Sequence, residues 1–172
     1  HSHLSFIGAP SNGSLYVSVN GFSGDRRRLD SLRQINALFF DLDCHGSSRS
    51  QTDNAIRNAI ETISEAVRIE KLPRPTLTVD SGRGLHLYYV LKRSIPYRCS
   101  ANGPVNEKAL GLFQLVQQKL SRTLSRLMEP IDCIDVDEKV FDFTRVSRVP
   151  GSYNPAAQRY ARLLSSSDSY YD

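Results

Sequence analysis

Residues 38–46, LFFDLDCHG, set Asp41 and Asp43 one residue apart at the end of the apolar run Ala37 to Phe40. In a strand, side chains two apart share a face, so the two acids lie about 6.5 Å from each other while Leu42 faces the opposite way. At an effective dielectric of about 20 the pair repels by about 2–3 kcal/mol, and something must offset that cost. Two readings are open. Either the strand ends here and both carboxylates reach water, as Asp does in many turns, or a divalent cation joins them, since magnesium takes carboxylate oxygens together with substrate phosphates.

Outward from this stretch the chain alternates between strand and helix patterns. Upstream, SLYVSVN (14–20) alternates as a strand. The stretch Asp25 to Arg33, with Arg26, Arg27 and Arg28, reads as a basic loop or short helix before INALFFDLD (35–43) runs as the apolar strand. Downstream, Thr52 is the expected N-cap of a helix whose positions Ile56, Ala59, Ile60, Ile63 and Val67 keep helical spacing until Leu72-Pro73 stops it. TLTVD (76–80) and LHLYYVL (85–91) read as strands joined by Ser81-Gly82-Arg83-Gly84. A long amphipathic helix follows, capped by Asn106, with Leu110, Phe113, Val116 or Gln117, Leu120, Leu124 and Leu127 on its apolar face. IDCIDVD (131–137) is a short strand, FTRVSRVPGSYN (143–154) an arginine- and turn-rich loop, and the Ser-, Asp- and Tyr-rich tail after Leu164 is expected to fray. The pattern predicts an α/β (α+β) fold without internal repeats.

With 172 residues, 40% hydrophobic and 23% charged, the chain is long enough to bury a core and too apolar for wholesale disorder. The net charge of +4 suits a polyanionic partner without requiring one. Cys44, Cys99 and Cys133 fall in no metal-binding or disulfide spacing, which points to a reducing, cytoplasmic setting. No apolar run reaches the length of a membrane span, so no membrane partner is expected. His1-Ser2-His3 reads as a tag remnant.

Two further clusters carry chemistry. In Ser81-Gly82-Arg83-Gly84-Leu85-His86, two glycines allow backbone N–H groups to converge on an anion, with a hydroxyl, a guanidinium and an imidazole nearby; the same glycines equally suit a plain tight hairpin with a surface histidine. In DVDEKVFDFTRVSRVPGSYN, Asp135 and Asp137 share a strand face, and Arg145 and Arg148 are spaced to present two guanidiniums together if the backbone turns. Such a pair binds phosphate in bidentate fashion, whereas a surface ion pair, Asp142 with Arg145 for instance, is worth only about 0–1 kcal/mol.

These blocks, in this order, resemble the archaeo-eukaryotic primase superfamily, the primase-polymerases, and look most like the replication primases of plasmids and other mobile elements. The carrying residues are Asp41-Leu42-Asp43, Ser81 to His86, and Asp137 upstream of Arg145 and Arg148, with TRVSRVPGSYN similar to the R-hh-R-hPG stretch of the plasmid branch. The resemblance spans about residues 14 to 164. It implies a primase catalytic core of mixed sheets with an RRM-like lobe and flanking helices, over residues 4–164, with a flexible tail at 165–172. It implies a DNA primase or primase-polymerase in which Asp41, Asp43 and Asp137 hold two Mg²⁺ or Mn²⁺ ions, Asp142 being the alternative third ligand. Ser81, Arg83, His86, Arg145 and Arg148 would hold an NTP or dNTP. Single-stranded DNA is the implied template, and a replicative helicase in cis or in trans an implied partner, for a domain that could belong to a longer protein. A degenerate nucleotide- or origin-binding initiator is the alternative on the same fold. A rolling-circle nickase would need a His-hydrophobic-His strand and a placed tyrosine nucleophile; His1-Ser2-His3 and Tyr170-Tyr171 lie instead at the chain ends.

Overall fold

The computed structural model describes residues 13–24, 26–46, 48–100, 103–137 and 142–172. The tag remnant expected at 1–3, the domain start expected at residue 4 and Asp25 lie outside the described residues. Among these, the elements in chain order are β1 (Tyr16–Ser18), β2 (Gly21–Phe22), β3 (Leu32–Cys44), α1 (Arg49–Arg68), β4 (Leu77–Asp80), β5 (Gly84–Pro96), α2 (Glu107–Met128), β6 (Ile134–Val136), β7 (Val146–Arg148), β8 (Tyr153–Asn154), β9 (Arg159–Tyr160) and β10 (Arg162–Ser166). The basic stretch before β3 ends in a single 3-10 turn, Leu29–Ser31.

The main sheet runs β10-β4-β5-β3-β2, and β6 joins the same edge of β3 that β2 occupies farther back. All these strand pairs are antiparallel. From Ala37 opposite Val90 to Asp43 opposite Gly84, β3 and β5 keep one register. Alternation then separates two faces. Leu38, Phe40 and Leu42, with Leu85, Leu87 and Tyr89, pack beneath Ala55, Ile56, Ala59 and Ile63 of α1 and Leu110, Phe113 and Leu124 of α2. The other face carries Ala37 and Phe39 beside Val90 and Tyr88 of β5, packed with Val19, and continues into Asp41 and Asp43. The candidate site therefore begins where the apolar cover of that second face stops. At the same place Gly84 lets the two strands approach closely, because a Cβ there would lie 1.9 Å from the Leu42 carbonyl oxygen.

Several local expectations shift. The cap of α1 is Ser48, whose hydroxyl accepts from the Gln51 N–H at 3.2 Å, one turn before Thr52. The helix ends at Arg68, ahead of Pro73, where Glu70 takes φ 58° and Leu72 folds back into the core. Asn106 does cap α2. Of the Val116 and Gln117 alternatives, Val116 is exposed and Gln117 turns in toward the Phe39 carbonyl.

The fraying tail is corrected outright. β10 pairs with β4, the Ser167 N–H donates to the Thr76 carbonyl, and Thr76 donates to the Ser169 carbonyl. Tyr171 exchanges backbone hydrogen bonds with Val90 and Lys92 and sets its ring 5.7 Å from that of Tyr89. Composition suggested disorder, but an open sheet edge and a buried tyrosine supply partners for the segment. Among the described residues no helix is long and apolar enough to cross a membrane.

Candidate active site

Asp41 and Asp43 project from β3 on the face away from the helices, as their spacing requires. β6 brings in a third acid: Val136 lies opposite Leu42 and Asp135 opposite Asp43, and the Asp137 N–H donates to the Asp41 carbonyl at 2.9 Å. Ninety-odd residues of chain separate these strands, yet the sheet sets Asp137 beside Asp41. Asp135 stays in solvent, 3.7 Å from His45.

Burial first, then the Asp43 and Asp137 charges, push the Asp41 carboxyl up to about 7, with Arg145 pulling the other way. Its Oδ1 is buried and has no hydrogen-bond partner among the described residues. Across the register Asp41 faces His86, whose Nε2 lies 3.5 Å from that oxygen. This contact is not an ion pair, because burial, and then Arg148, hold His86 down to about 4. His86 is buried, so of the two readings the surface-histidine one does not hold; its Nδ1 lies 2.8 Å from Ser147 Oγ and its ring meets the Phe39 ring edge-on.

The structure separates the two competitors for third acid. Arg145 Nη2 pairs with Asp137 Oδ2 at 2.6 Å. Asp142, the expected partner of Arg145, instead accepts from the Thr144 N–H and hydroxyl at 2.8 and 2.6 Å. Against a burial penalty that would raise it, these bonds, with Arg145 and Arg27 nearby, hold the Asp142 carboxyl below its usual range. Asp142 is thus satisfied within its own turn.

The phosphate-binding set is only partly assembled. Arg83 is exposed and reaches the Cys44 carbonyl at 3.4 Å, at the acidic end of β3. Arg145 lies at the acids. Arg148 does not join it: its guanidinium bonds to Ser14, the Tyr153 carbonyl and the Tyr16 hydroxyl, and stacks 4.7 Å from the Tyr16 ring. Residues 146–148 form a strand rather than a helical turn, and the Arg145 and Arg148 charges both reach His86 from different directions. The glycine loop closes as a tight hairpin. Gly82 takes φ 93° and donates its N–H to Asp80 at 2.8 Å, the Ser81 N–H goes to the Gly84 carbonyl, and the Ser81 hydroxyl turns inward on the same carbonyl. Those N–H groups are used within the turn rather than turned toward an anion.

Comparison with known proteins bears on this arrangement. No family model matches the chain. A protein of Clostridium perfringens described as "Replication protein" is 26% identical over 162 residues, or 94% of this chain. The chain spans about a third of that relative's length, 34%. The solved AEP domain of the cyanophage S-2L primase-polymerase superposes with a TM-score of 0.51 at 18% identity, over 91% of this chain and 64% of that one. The chain has the fold of an archaeo-eukaryotic primase-polymerase domain.

In this primase-polymerase fold the acids meet a test for divalent ions that is independent of the comparison. The donors are hard carboxylate oxygens, and Asp41 presents a buried, unpartnered one beside two further acids. That donor chemistry fits magnesium or manganese. Among the described residues, however, no three His, Cys, Asp or Glu side chains converge on one point, and Asp137 leans toward Arg145.

Sequence reasoning overlooked three contributors. Ser147 contacts His86; Asp80 and Arg159 brace the glycine loop, Arg159 bridging Asp80 and Asp53. Nothing local marks Ser147, whereas the Asp80-Ser81-Gly82 run, an acid entering a tight turn, was a signal for the brace.

Proposed function

We propose that this domain is a template-dependent nucleotidyltransferase, a DNA primase or primase-polymerase that makes or extends primers on single-stranded DNA for a plasmid, phage or other mobile element. The observation that carries the reading is Asp41: a half-buried carboxylate whose buried Oδ1 has no partner among the described residues, its proton affinity raised, flanked by Asp43 and Asp137 on one sheet face. Such a group is costly to a fold that gains no cation from it. The names of the Clostridium replication protein and the phage primase-polymerase agree with this reading.

Asp41, Asp43 and Asp137 are the residues that would hold two Mg²⁺ or Mn²⁺ ions, which when bound supply Lewis-acid activation of a 3′-OH and neutralise triphosphate charge. Holding an ion would require the Asp41 carboxyl, raised to about 7, in its ionised form. Arg145 exchanges the Asp137 carboxylate for a phosphate oxygen, and Arg83 and His86 flank the same anion as charge and neutral donor. Ser81 and Arg148 act from behind, holding the turn and the β7 strand.

The Asp137–Arg145 ion pair favours a second reading, a nucleotide- or origin-binding initiator without catalysis, because the pair leaves the third acid satisfied without a metal. One experiment separates the two. The protein is incubated with a single-stranded template, labelled NTPs or dNTPs and Mn²⁺ or Mg²⁺, and products are resolved by length. A ladder absent from Asp41→Asn supports the enzyme; retained nucleotide or DNA binding with no product under any condition supports the initiator.

A further inference from the structure

The strand pair that assembles the acids also brings two cysteines together, although their sequence spacing marks no pair. Cys44 ends β3 directly after Asp43, and Cys133 directly precedes β6. Their Sγ atoms lie 3.5 Å apart, 89 positions away from each other in sequence, and both are free thiols. A disulfide bond is about 2.05 Å long, so each sulfur has to move by only about 0.7 Å to form one.

The backbone around the pair is held on both sides. Cys44 sits opposite Ile134, and its N–H donates to the Arg83 carbonyl at 2.8 Å, while the His45 N–H donates to the Cys133 carbonyl at 2.7 Å. The thiols therefore stay in contact as long as β6 stays on β3. Cys133 takes φ 61°, a left-handed conformation that glycine or asparagine adopts at lower cost. What cysteine supplies at that strained position, and those residues would not, is a thiol against Cys44. Cys44 is 1% exposed and Cys133 is half-buried, so a dissolved oxidant meets Cys133 first. Zinc on the same two sulfurs would need further protein ligands, and among the described residues no third His, Cys, Asp or Glu completes such a group.

We propose that Cys44 and Cys133 form a redox-active dithiol site, oxidised by a small disulfide such as glutathione disulfide to an intramolecular bond that staples β6 to β3 beside the acids. The Cys133 sulfur attacks one glutathione sulfur, the glutathione S–S bond breaks and one glutathione leaves. The Cys44 sulfur then attacks Cys133 Sγ in the mixed disulfide and displaces the second glutathione. Both S–H protons end on the two released glutathione thiols, so two protein thiols are oxidised and one glutathione disulfide is reduced. The new bond closes a loop that contains α1, β4, β5 and α2 and so restricts the unfolded chain. None of this depends on the nucleotidyl-transfer reading.

The test uses the full chain with Cys99→Ser, which removes the exposed third thiol that would itself take up glutathione. The protein is reduced, freed of reductant, kept in EDTA and incubated with excess glutathione disulfide. Its intact mass should fall by two hydrogens, and a non-reducing digest should give a peptide pair joined through Cys44 and Cys133. The midpoint of guanidinium unfolding should rise by about 0.5–1 M, as for a long loop closed by a bond, and return when dithiothreitol is added. Cys133→Ser in the same background should abolish both changes. A glutathione adduct that persists on Cys133 with Cys44 still free overturns the proposal, as does a chain that keeps both thiols reduced. A cross-link that leaves the midpoint unchanged or lowers it overturns the staple.

Discussion

Asp41 and Asp80 sit on strands either side of β5, on opposite faces of one sheet, and the fold treats them in opposite ways. Asp80 shares the helix-covered face with its register partner Leu85 and is 1% exposed. It accepts from the Gly82 N–H at 2.8 Å, Arg159 at 3.1 Å and Arg162 at 2.9 Å, and Arg159 continues to Asp53 of α1. Asp41 has Asp43 and Asp137 for neighbours, with Arg145 and His86 also near, and among the described residues its Oδ1 has no hydrogen-bond partner. A buried carboxylate whose oxygens meet donors is part of the scaffold, whereas one crowded by other acids keeps its proton to higher pH. The scaffold acid braces the loop that carries His86 into place, so the rigidity of one site supports the incompleteness of the other.

The largest contrast should come from neutralising each acid in turn. Asp41→Asn and Asp43→Asn should each lower nucleotide addition by about a thousandfold or more, the scale of losing metal-assisted charge stabilisation. The melting temperature should hold or rise, since a repelling charge is gone. A large drop in melting temperature with activity surviving would reverse the comparison. Asp80→Ala, conversely, should cost about 3–5 kcal/mol by denaturant unfolding, because the buried Arg159 guanidinium and the Gly82 N–H lose their acceptor, while exposed Arg162 turns to water. A loss below about 1 kcal/mol would show that the brace is ornamental.

The two arginines sharpen the same division. Arg145→Ala should weaken triphosphate binding by about tenfold or more, read by calorimetric titration, while single-stranded DNA affinity changes less. Arg148→Ala should instead lower stability by about 1.5–3 kcal/mol, since the group is spent on Ser14, Tyr16 and Tyr153. Equal effects of both variants on nucleotide binding would restore the paired-guanidinium reading.

Proton linkage tests Asp41 more finely. In the unfolded chain Asp41 titrates near pH 4 and His86 near 6.5, whereas in the fold Asp41 rises to about 7 and His86 falls to about 4. Between about pH 4 and 6.5 the unfolded chain holds its proton on His86 and the folded chain on Asp41, so proton counts match and stability in EDTA should change little. Asp41→Asn removes one side of this exchange. Its unfolded state then binds more protons than its folded state in that window, and its stability should climb from about pH 4 to about 6.5. A flat profile for the variant would mean that His86 is not held low.

The smallest expected effect lies at the rim. Arg26, Arg27 and Arg28 are exposed at the start of β3, and Arg27 is near enough to Asp142 to lower its carboxyl. Replacing the three with Ala should lower the salt slope of log K for a fluorescent oligonucleotide by about 2, at about 0.7 per phosphate contact. An unchanged slope would send the template elsewhere, past Lys92, Arg93 and Arg98.

The sequence by itself determined the elements whose evidence is periodic. Alternation through residues 37–43 settled that Asp41 and Asp43 share a face, helical spacing settled the buried side of α2, and Asn106 marked its start. These follow from local geometry, because a residue's direction in a strand or helix depends on its neighbours along the chain. Only the tertiary structure decided what those faces meet. Asp137 stands beside Asp41 because β6 takes register on β3; the strand conformation of residues 146–148 turns Ser147 to His86 and leaves Arg148 with Tyr16. The tail is ordered by strand edges formed far away in sequence. Pairing between segments some ninety residues apart leaves no periodic trace in either one, so the acids were legible as a motif, and their number, partners and proton affinities only as a fold.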